Sequence, residues 1–160
     1  MSHAAPSRDA PTSSTDLEAG RNLHIGEFSD DPTLNLSEAR IILQKSLEAR
    51  IKRAIDRGLK PEEAFKETET LAKTRDYLEI FAVFKEMSDA ELAERTIHSY
   101  AGNMERFERS QIGSLVPSCA DEAKALIPSL EKKVEDGVVS EEDLEALCRE
   151  LNKIKRQTQL

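Results

Sequence analysis

From Asn35 to the end of the chain, apolar residues recur with the period of an α-helix rather than the alternation of a β-strand. The first predicted helix spans about Ser37 to Arg57. Most of its apolar residues are three, four or seven positions apart and share one face: Leu36, Leu43, Leu47, Ile51, Ala54 and Ile55. Gly58 and Pro61 then suit a helix end and a new helix start. A second long helix is therefore predicted from about Pro61 to Phe84, and the two helices would form a hairpin.

Three or four shorter helices are predicted after this hairpin. Ser88, Ser118 and Ser140 are each followed three residues later by an acidic residue, which is typical of helix starts. Apolar residues between Met104 and Pro117 indicate another helix, and Pro128 is predicted to stop the one that begins at Ser118. The last helix has the most regular apolar stripe: Leu144, Leu147, Cys148, Leu151 and Ile154. With only 6 Gly and 6 Pro in 160 residues, a turn-rich all-β fold is disfavoured, and the predicted class is all-α.

The first part of the chain has a different character. Residues 1–21 are rich in Ser, Ala, Pro, Thr and Asp, and they are predicted to be a disordered tail because they cannot bury enough apolar surface. Leu23 to Phe28 shows a weak strand pattern, but no second convincing strand is available to pair with it. Such a lone strand would be stable only when added to another protein's sheet. On pattern alone, an extended linker is an equal alternative.

The predicted organisation therefore has four parts. They are a tail at 1–21, a partner-binding extended segment at 22–34, a helical hairpin at 35–87 and a compact helical bundle at 88–160. The second predicted helix is polar in its first half and apolar in its second half. This pattern indicates that the polar part protrudes and that the apolar ends are packed.

Charge and motifs disfavour several functions. The net charge of -8 is unlike that of a free-standing nucleic-acid binder, which normally presents a basic surface to phosphates. No apolar run approaches the roughly 20 residues that a membrane span needs. The sequence contains no His-x-x-x-His, no Gly-x-Gly and no Gly-x-Ser-x-Gly motif. We therefore predict no catalytic residue, no metal site, no cofactor and no membrane partner.

One dense basic cluster surrounds the predicted turn of the hairpin. It consists of Lys52, Arg53, Arg57 and Lys60. Cations at a helix C-terminus are favoured by the helix dipole, so a solvated helix end is the simpler interpretation. The functional alternative is a local contact with RNA or with protein at the tip of the hairpin.

Two sequence blocks carry a resemblance to a known family. Residues 107–115 read FERSQIGSL, and residues 121–130 read DEAKALIPSL. Together they resemble the fourth-subunit family of eukaryotic RNA polymerase II, which has a related counterpart in the archaeal polymerase. The resemblance covers about residues 22–157. It is loose at 57–70 and at 135–140, and the tail matches nothing.

The resemblance implies a non-catalytic subunit with a long helical hairpin and a C-terminal bundle similar to the HRDC domain of helicases. It implies a stalk heterodimer with the seventh subunit on the RNA polymerase II core. The seventh subunit would make most contacts with nascent RNA, and the pair would act in transcription initiation and RNA handling. The compartment implied is the nucleus, with the cytoplasm as a second location.

The resemblance also implies where the partner would bind. Strand addition would use Leu23, Ile25 and Phe28. The apolar faces of the two long helices would contribute five further residues: Leu43, Leu47, Tyr77, Phe81 and Phe84. The fourth-subunit family itself has no catalytic residues to carry over.

Two alternatives remain open from the sequence. One is the corresponding stalk subunit of RNA polymerase III. The other is a free-standing HRDC-like nucleic-acid-binding module. The second is disfavoured by charge, because residues 119–160 hold 7 Lys or Arg against 10 Asp or Glu.

Overall fold

The computed structural model describes residues 17–60, 66–100 and 102–158. Within these ranges the chain forms seven α-helices, one 3₁₀ helix and two short strands. The helices are α1 (Leu36–Asp56), α2 (Glu69–Phe81), α3 (Met87–Tyr100), α4 (Arg106–Leu115), α5 (Ala120–Leu126), α6 (Pro128–Glu135) and α7 (Glu141–Thr158). The predicted all-α class is confirmed, with a small sheet added at the N-terminal side.

The N-terminal sheet corrects two predictions. Strand β1 (Glu18–Ala19) pairs antiparallel with β2 (Leu23–His24), and a 3₁₀ helix follows at Gly26–Asp30. The strand at Leu23 to Phe28 was therefore predicted too long, and it has a partner within its own chain. The extended backbone ends at His24, because Ile25 has a ψ of 10°, and Gly26 follows with a φ of +55° that favours glycine. The predicted disorder is wrong for residues 17–21, while residues 1–16 lie outside the described residues.

Helices α1 and α2 pack antiparallel, and we call this pair the hairpin. Near the start of α1, Arg40 Nε donates to Glu79 Oε2 near the end of α2, at 2.6 Å. The second helix is shorter than predicted. It begins at Glu69, where the Thr68 side chain accepts from the Leu71 amide, and it ends at Phe81. The predicted stretch 61–65 lies outside the described residues.

Helices α3 to α7 surround one apolar core, and we call this part the bundle. The apolar stripe of α7 lies at its centre, where Leu144, Leu147, Cys148 and Leu151 have no exposed surface. Helix α3 packs along α7 and contributes Ala93 and Ile97 to the same core. A stripe that is regular in sequence is thus fully covered by its own chain.

The helix starts in the bundle agree only partly with the sequence pattern. The start of α7 is confirmed, because Ser140 Oγ accepts from the Asp143 amide at 3.3 Å. The predicted capping role of Ser88 is wrong, since α3 already begins at Met87. The N-cap position of α5 is Cys119 rather than Ser118, and the Cys119 side chain forms no capping hydrogen bond. Pro128 ends α5 but is also the first residue of α6, a helix that the sequence did not reveal.

The hairpin is joined to the bundle at the first turn of α1. The Asn35 side chain accepts from the Glu38 amide and the Glu38 carboxylate accepts from the Asn35 amide, both at 2.9 Å. Ser37 Oγ accepts from the Phe84 amide at 3.0 Å. At Gly113 in α4, an added Cβ would lie 3.1 Å from both Asn35 Cβ and Ile97 Cδ1. The glycine of the FERSQIGSL block therefore lets α4 approach α1 closely.

A second residue of this block has a structural role inside the bundle. Glu108 is fully buried, and its carboxylate accepts from Ser129 Oγ at 2.7 Å and from Lys133 Nζ at 2.8 Å. It also accepts from the Glu105 amide at 2.7 Å. A buried carboxylate is tolerated when it is paired and hydrogen-bonded in this way. The network ties the start of α4 to α6.

Candidate partner-binding surface

The end of α2 exposes a cluster of large apolar side chains. Tyr77, Ile80 and Phe81 are 51%, 72% and 53% exposed, and we call these three residues the hairpin patch. Tyr77 and Phe81 are four positions apart on one helix face, and their ring centroids lie 4.7 Å apart at 39°. Single exposed apolar residues are common, but a contiguous patch indicates an interaction site.

A groove runs along the hairpin between α1 and α2. It has a volume of about 560 Å³, and we call it the hairpin groove. Its apolar lining comes from Leu43, Leu47, Ile51 and Leu78. The three α1 residues belong to the stripe seen in the sequence, and the structure leaves Leu43 and Leu47 only partly buried. The stripe of α1 is therefore incompletely covered by its own chain.

Charged residues form the rim of the hairpin groove. Arg75 pairs with Glu67 at 3.0 Å. One turn further along α2, Glu79 accepts from Arg40 at 2.6 Å and from Lys85 Nζ at 3.4 Å. The hydrogen bond from Arg40 is the main reason that the pKa of Glu79 lies below its ordinary value. A partner that binds the groove would thus contact apolar side chains in its centre and ion-paired side chains at its rim.

The structure places four of the predicted helix residues on the surface of the hairpin, two in the groove and two in the patch, and it buries a fifth. Leu43 and Leu47 line the hairpin groove, while Tyr77 and Phe81 lie in the hairpin patch. Phe84 is fully buried in the core of its own chain, so it has no surface for a partner, and its assignment to the interface is corrected. Its backbone lies beyond the end of α2, which explains why helical spacing misplaced it. The prediction also missed Ile80, although it begins the longest apolar run of the sequence.

The N-terminal segment lies against the bundle. Leu23 and Ile25 line a second cavity of about 560 Å³, and Phe28 is half exposed in the 3₁₀ helix. Lys132 Nζ donates to Asn22 Oδ1 at 2.7 Å, and Arg21 pairs with Glu131 at 3.2 Å and with Glu135. Ile25 and Phe28 are thus not part of a strand. The segment is held on α6 by polar contacts that are largely exposed.

The basic cluster lies at the end of α1, and we call it the basic tip: Lys52, Arg53, Arg57 and Lys60. All four side chains are exposed. Among the described residues, none of the four side chains forms a hydrogen bond or an ion pair. No side chain in the described ranges therefore neutralises this charge.

Groups that could carry chemistry are sparse in the part of the chain that the structure describes. It contains no group of three His, Cys, Asp or Glu side chains that could hold a metal ion. Cys119 and Cys148 are free thiols, and burial raises the pKa of Cys148 to about 12, so that thiol stays protonated at neutral pH. None of the helices in the described ranges is long and apolar enough to cross a membrane.

Comparison with known proteins gives a consistent result. A family model described as RNA polymerase Rpb4 matches residues 33–155. The chain is 31% identical over 140 residues to the DNA-directed RNA polymerase II subunit rpb4 of Schizosaccharomyces pombe, covering 87% of this chain and 93% of the relative. It is 34% identical over 87 residues to the protein of the same name in Dictyostelium discoideum, covering 54% of this chain and 51% of that relative. It is 34% identical over 85 residues to the DNA-directed RNA polymerase II subunit RPB4 of Saccharomyces cerevisiae, covering 53% and 35%.

Proposed function

The chain belongs to the RNA polymerase Rpb4 family, and from this premise we propose that it is a non-catalytic subunit of DNA-directed RNA polymerase II. The family match spans the hairpin and the bundle. The relatives named above are subunits of RNA polymerase II, which supports this polymerase over RNA polymerase III. Such a subunit acts in the nucleus, and the cytoplasm is a second location that we include in the proposal.

The proposed partner of the hairpin is the seventh subunit of the polymerase. The observation that carries this proposal is the hairpin patch, in which three large apolar side chains are exposed together. Covering such a patch is favourable by roughly 25 cal/mol for each Å² of apolar surface removed from water. The hairpin groove would receive apolar side chains of the partner beside Leu43 and Leu47. The charged rim would then select the partner and its orientation.

The N-terminal segment offers a second contact to the same partner. An isolated two-stranded sheet is at best marginally stable in water, so the pair β1 and β2 would gain from a further strand. We propose that the partner's sheet extends this pair at its free edge. Phe28, half exposed in the following 3₁₀ helix, would pack against the added strand. Strand addition would therefore act on the pair of β1 and β2, and not on the single strand that the sequence predicted.

The heterodimer would form a stalk that acts in transcription initiation and in handling nascent RNA. The net charge of -8 supports a division of labour in which the seventh subunit makes most RNA contacts. Phosphate neutralisation by Lys and Arg supplies most of the affinity of RNA-binding proteins, and an acidic chain provides little of it.

The test is co-expression of the full chain with the seventh subunit, and then measurement of the dissociation constant of the purified complex. We expect a 1:1 complex, and we expect Ile80→Ser and Phe81→Ser each to weaken it by about tenfold or more. Leu126→Ser is a matched control, because Leu126 on α5 is 47% exposed but lies outside the hairpin. Wild-type affinity in both hairpin variants would overturn the proposed interface. Co-purification with the largest subunit of RNA polymerase III instead would overturn the assignment to polymerase II.

A further inference from the structure

The basic tip combines two features that a solvated helix end does not require. Cations near a helix C-terminus are stabilised by the helix dipole, which accounts for one or two of them. Within residues 52–60, however, four cations accompany a single anion, Asp56. Beside them, Ile55 and Leu59 are each 47% exposed. The dipole explains charge, but it does not explain why two large aliphatic side chains remain in water next to it.

The backbone holds these side chains in a defined arrangement. The Gly58 amide donates to the Ile55 carbonyl at 2.8 Å, and the Leu59 amide donates to the Ala54 carbonyl at 3.1 Å. This pair of hydrogen bonds, with Gly58 at a φ of +83°, is a Schellman motif. The motif fixes the direction in which the chain leaves α1, so Ile55 and Leu59 are presented on an ordered turn. An ordered turn loses less conformational entropy on binding than a flexible loop.

We propose that the basic tip binds an acidic peptide segment of another protein that also carries an apolar side chain. The carboxylates of this peptide would pair with Arg53 and Arg57, whose guanidinium groups suit planar, two-point recognition. The apolar side chain of the peptide would cover Ile55 and Leu59. This site goes beyond the proposed heterodimer and does not depend on it.

The chemistry of the tip favours a peptide over single-stranded RNA. Proteins that bind single strands combine positive charge with aromatic side chains on which bases stack. Residues 52–60 contain no aromatic residue, and their exposed apolar groups are aliphatic. Aliphatic side chains can cover a Leu or Phe of a peptide, but they offer no stacking surface to a base. The net charge of -8 weakens long-range attraction of a long polyanion more than that of a short peptide.

The tip lies far from the hairpin patch along α1. Arg57 lies seventeen positions after Arg40, which contacts the end of α2, and this corresponds to about 25 Å at 1.5 Å per residue. A peptide on the tip and the seventh subunit on the hairpin patch would therefore occupy different ends of the hairpin. We expect the two binding events to be additive.

The test uses fluorescence anisotropy with the full chain alone, because the seventh subunit would itself bind the RNA probe. The probes are a labelled 12-residue peptide with alternating Glu and Leu, the same peptide with Glu replaced by Lys, and a labelled 12-nucleotide oligouridine. We expect the acidic peptide to bind more tightly than either of the other two. Arg53→Gln together with Arg57→Gln should weaken its binding by about tenfold or more, and Ile55→Ser should weaken it by a few fold.

The matched control is Arg149→Gln together with Arg156→Gln, which removes the same charge from two exposed arginines of α7. This control should bind the acidic peptide as the wild type does. Equal weakening by the two double variants would overturn the proposal, because net charge would then explain the binding. Tighter binding of oligouridine than of the acidic peptide would also overturn it and would assign the tip to RNA. Circular dichroism of each variant establishes that its helices are intact.

Discussion

Leucine stripes run along both α7 and α1, but only the bundle covers its own stripe. In α7, Leu144, Leu147 and Leu151 are fully buried between neighbouring helices. In α1, Leu43 and Leu47 keep part of their surface exposed along the hairpin groove. The bundle therefore buries its central stripe within the chain, whereas the hairpin leaves apolar surface exposed. An apolar stripe on a helix indicates a packing surface. In the bundle that surface packs against other helices of the same chain, whereas in the hairpin part of it is left for a partner.

The largest effect is expected in the centre of the bundle. Leu151→Ala removes a fully buried side chain and leaves a cavity, so it should lower the free energy of unfolding by about 2–5 kcal/mol. Urea denaturation of the full chain, followed by circular dichroism, measures this loss. A loss below about 1 kcal/mol would show that the bundle is packed no better than the hairpin.

A smaller but still substantial loss is expected from the buried carboxylate. Glu108→Ala removes the acceptor for Ser129, Lys133 and the Glu105 amide, and should cost about 2 kcal/mol. This loss is smaller than for a fully buried ion pair, because Lys133 is partly exposed and would still form its ion pair with Glu105 at 3.5 Å in the variant. The control is Glu150→Ala, which breaks an exposed pair with Lys153 and should change stability by less than about 0.5 kcal/mol. Equal losses in the two variants would contradict a structural role for Glu108.

The joint between the two parts can be tested at Gly113. In Gly113→Ala, the new Cβ would lie 3.1 Å from Asn35 and Ile97, which are both buried and cannot easily move. Overpacking should outweigh the better helix propensity of Ala and give a net loss of about 1 kcal/mol in thermal or urea unfolding. Gly102→Ala is the control, since nothing lies within 4 Å of its added Cβ. A stabilised Gly113→Ala variant would mean that α1 and α4 can separate without cost.

The smallest effect on stability is expected in the hairpin groove. Leu47→Ala is the same chemical change as Leu151→Ala, but it removes a side chain that is already partly exposed. The free chain should lose less than about 1 kcal/mol, whereas affinity for the seventh subunit should fall. The two quantities are measured by urea unfolding and by titration with the seventh subunit. If Leu47→Ala destabilises the free chain as much as Leu151→Ala, the contrast between the two regions fails.

Much of this fold could be predicted from local sequence patterns. The helices α1, α4 and α7 follow regular apolar spacing, and the family resemblance carried by the two sequence blocks is confirmed by the match over residues 33–155. The pairing of β1 with β2 could not be predicted, because strands of two residues contain no measurable alternation. Likewise, no periodicity marks Glu108 as buried, since its burial depends on Ser129 and Lys133, which lie more than 20 residues away in the sequence.

The exposure of the predicted partner-binding residues could be foreseen less completely than the fold. The resemblance assigned Tyr77, Phe81 and Phe84 to the partner. The structure leaves Tyr77 and Phe81 exposed but buries Phe84, because the helix ends at Phe81 and Ala82 is extended with ψ at 123°. Beyond that point, helical spacing no longer indicates which side chains face inward. A helix end inside an apolar run has no Gly or Pro to mark it in this chain, so only the structure separates the exposed Ile80 from the buried Phe84.

The anchoring of the first turn of α1 has a consequence for motion along that helix. Asn35 and Ser37 are buried, and Ser37 Oγ accepts from the Phe84 amide. The Leu36 amide donates to Ser114 Oγ of α4, while the last turn of α1 is largely exposed. Local opening is easiest where a helix has few buried contacts. Backbone amides near Ser37 should therefore exchange their hydrogen atoms only when the bundle itself unfolds, and amides near Arg57 should exchange through local fraying. Exchange rates should therefore rise steadily along α1.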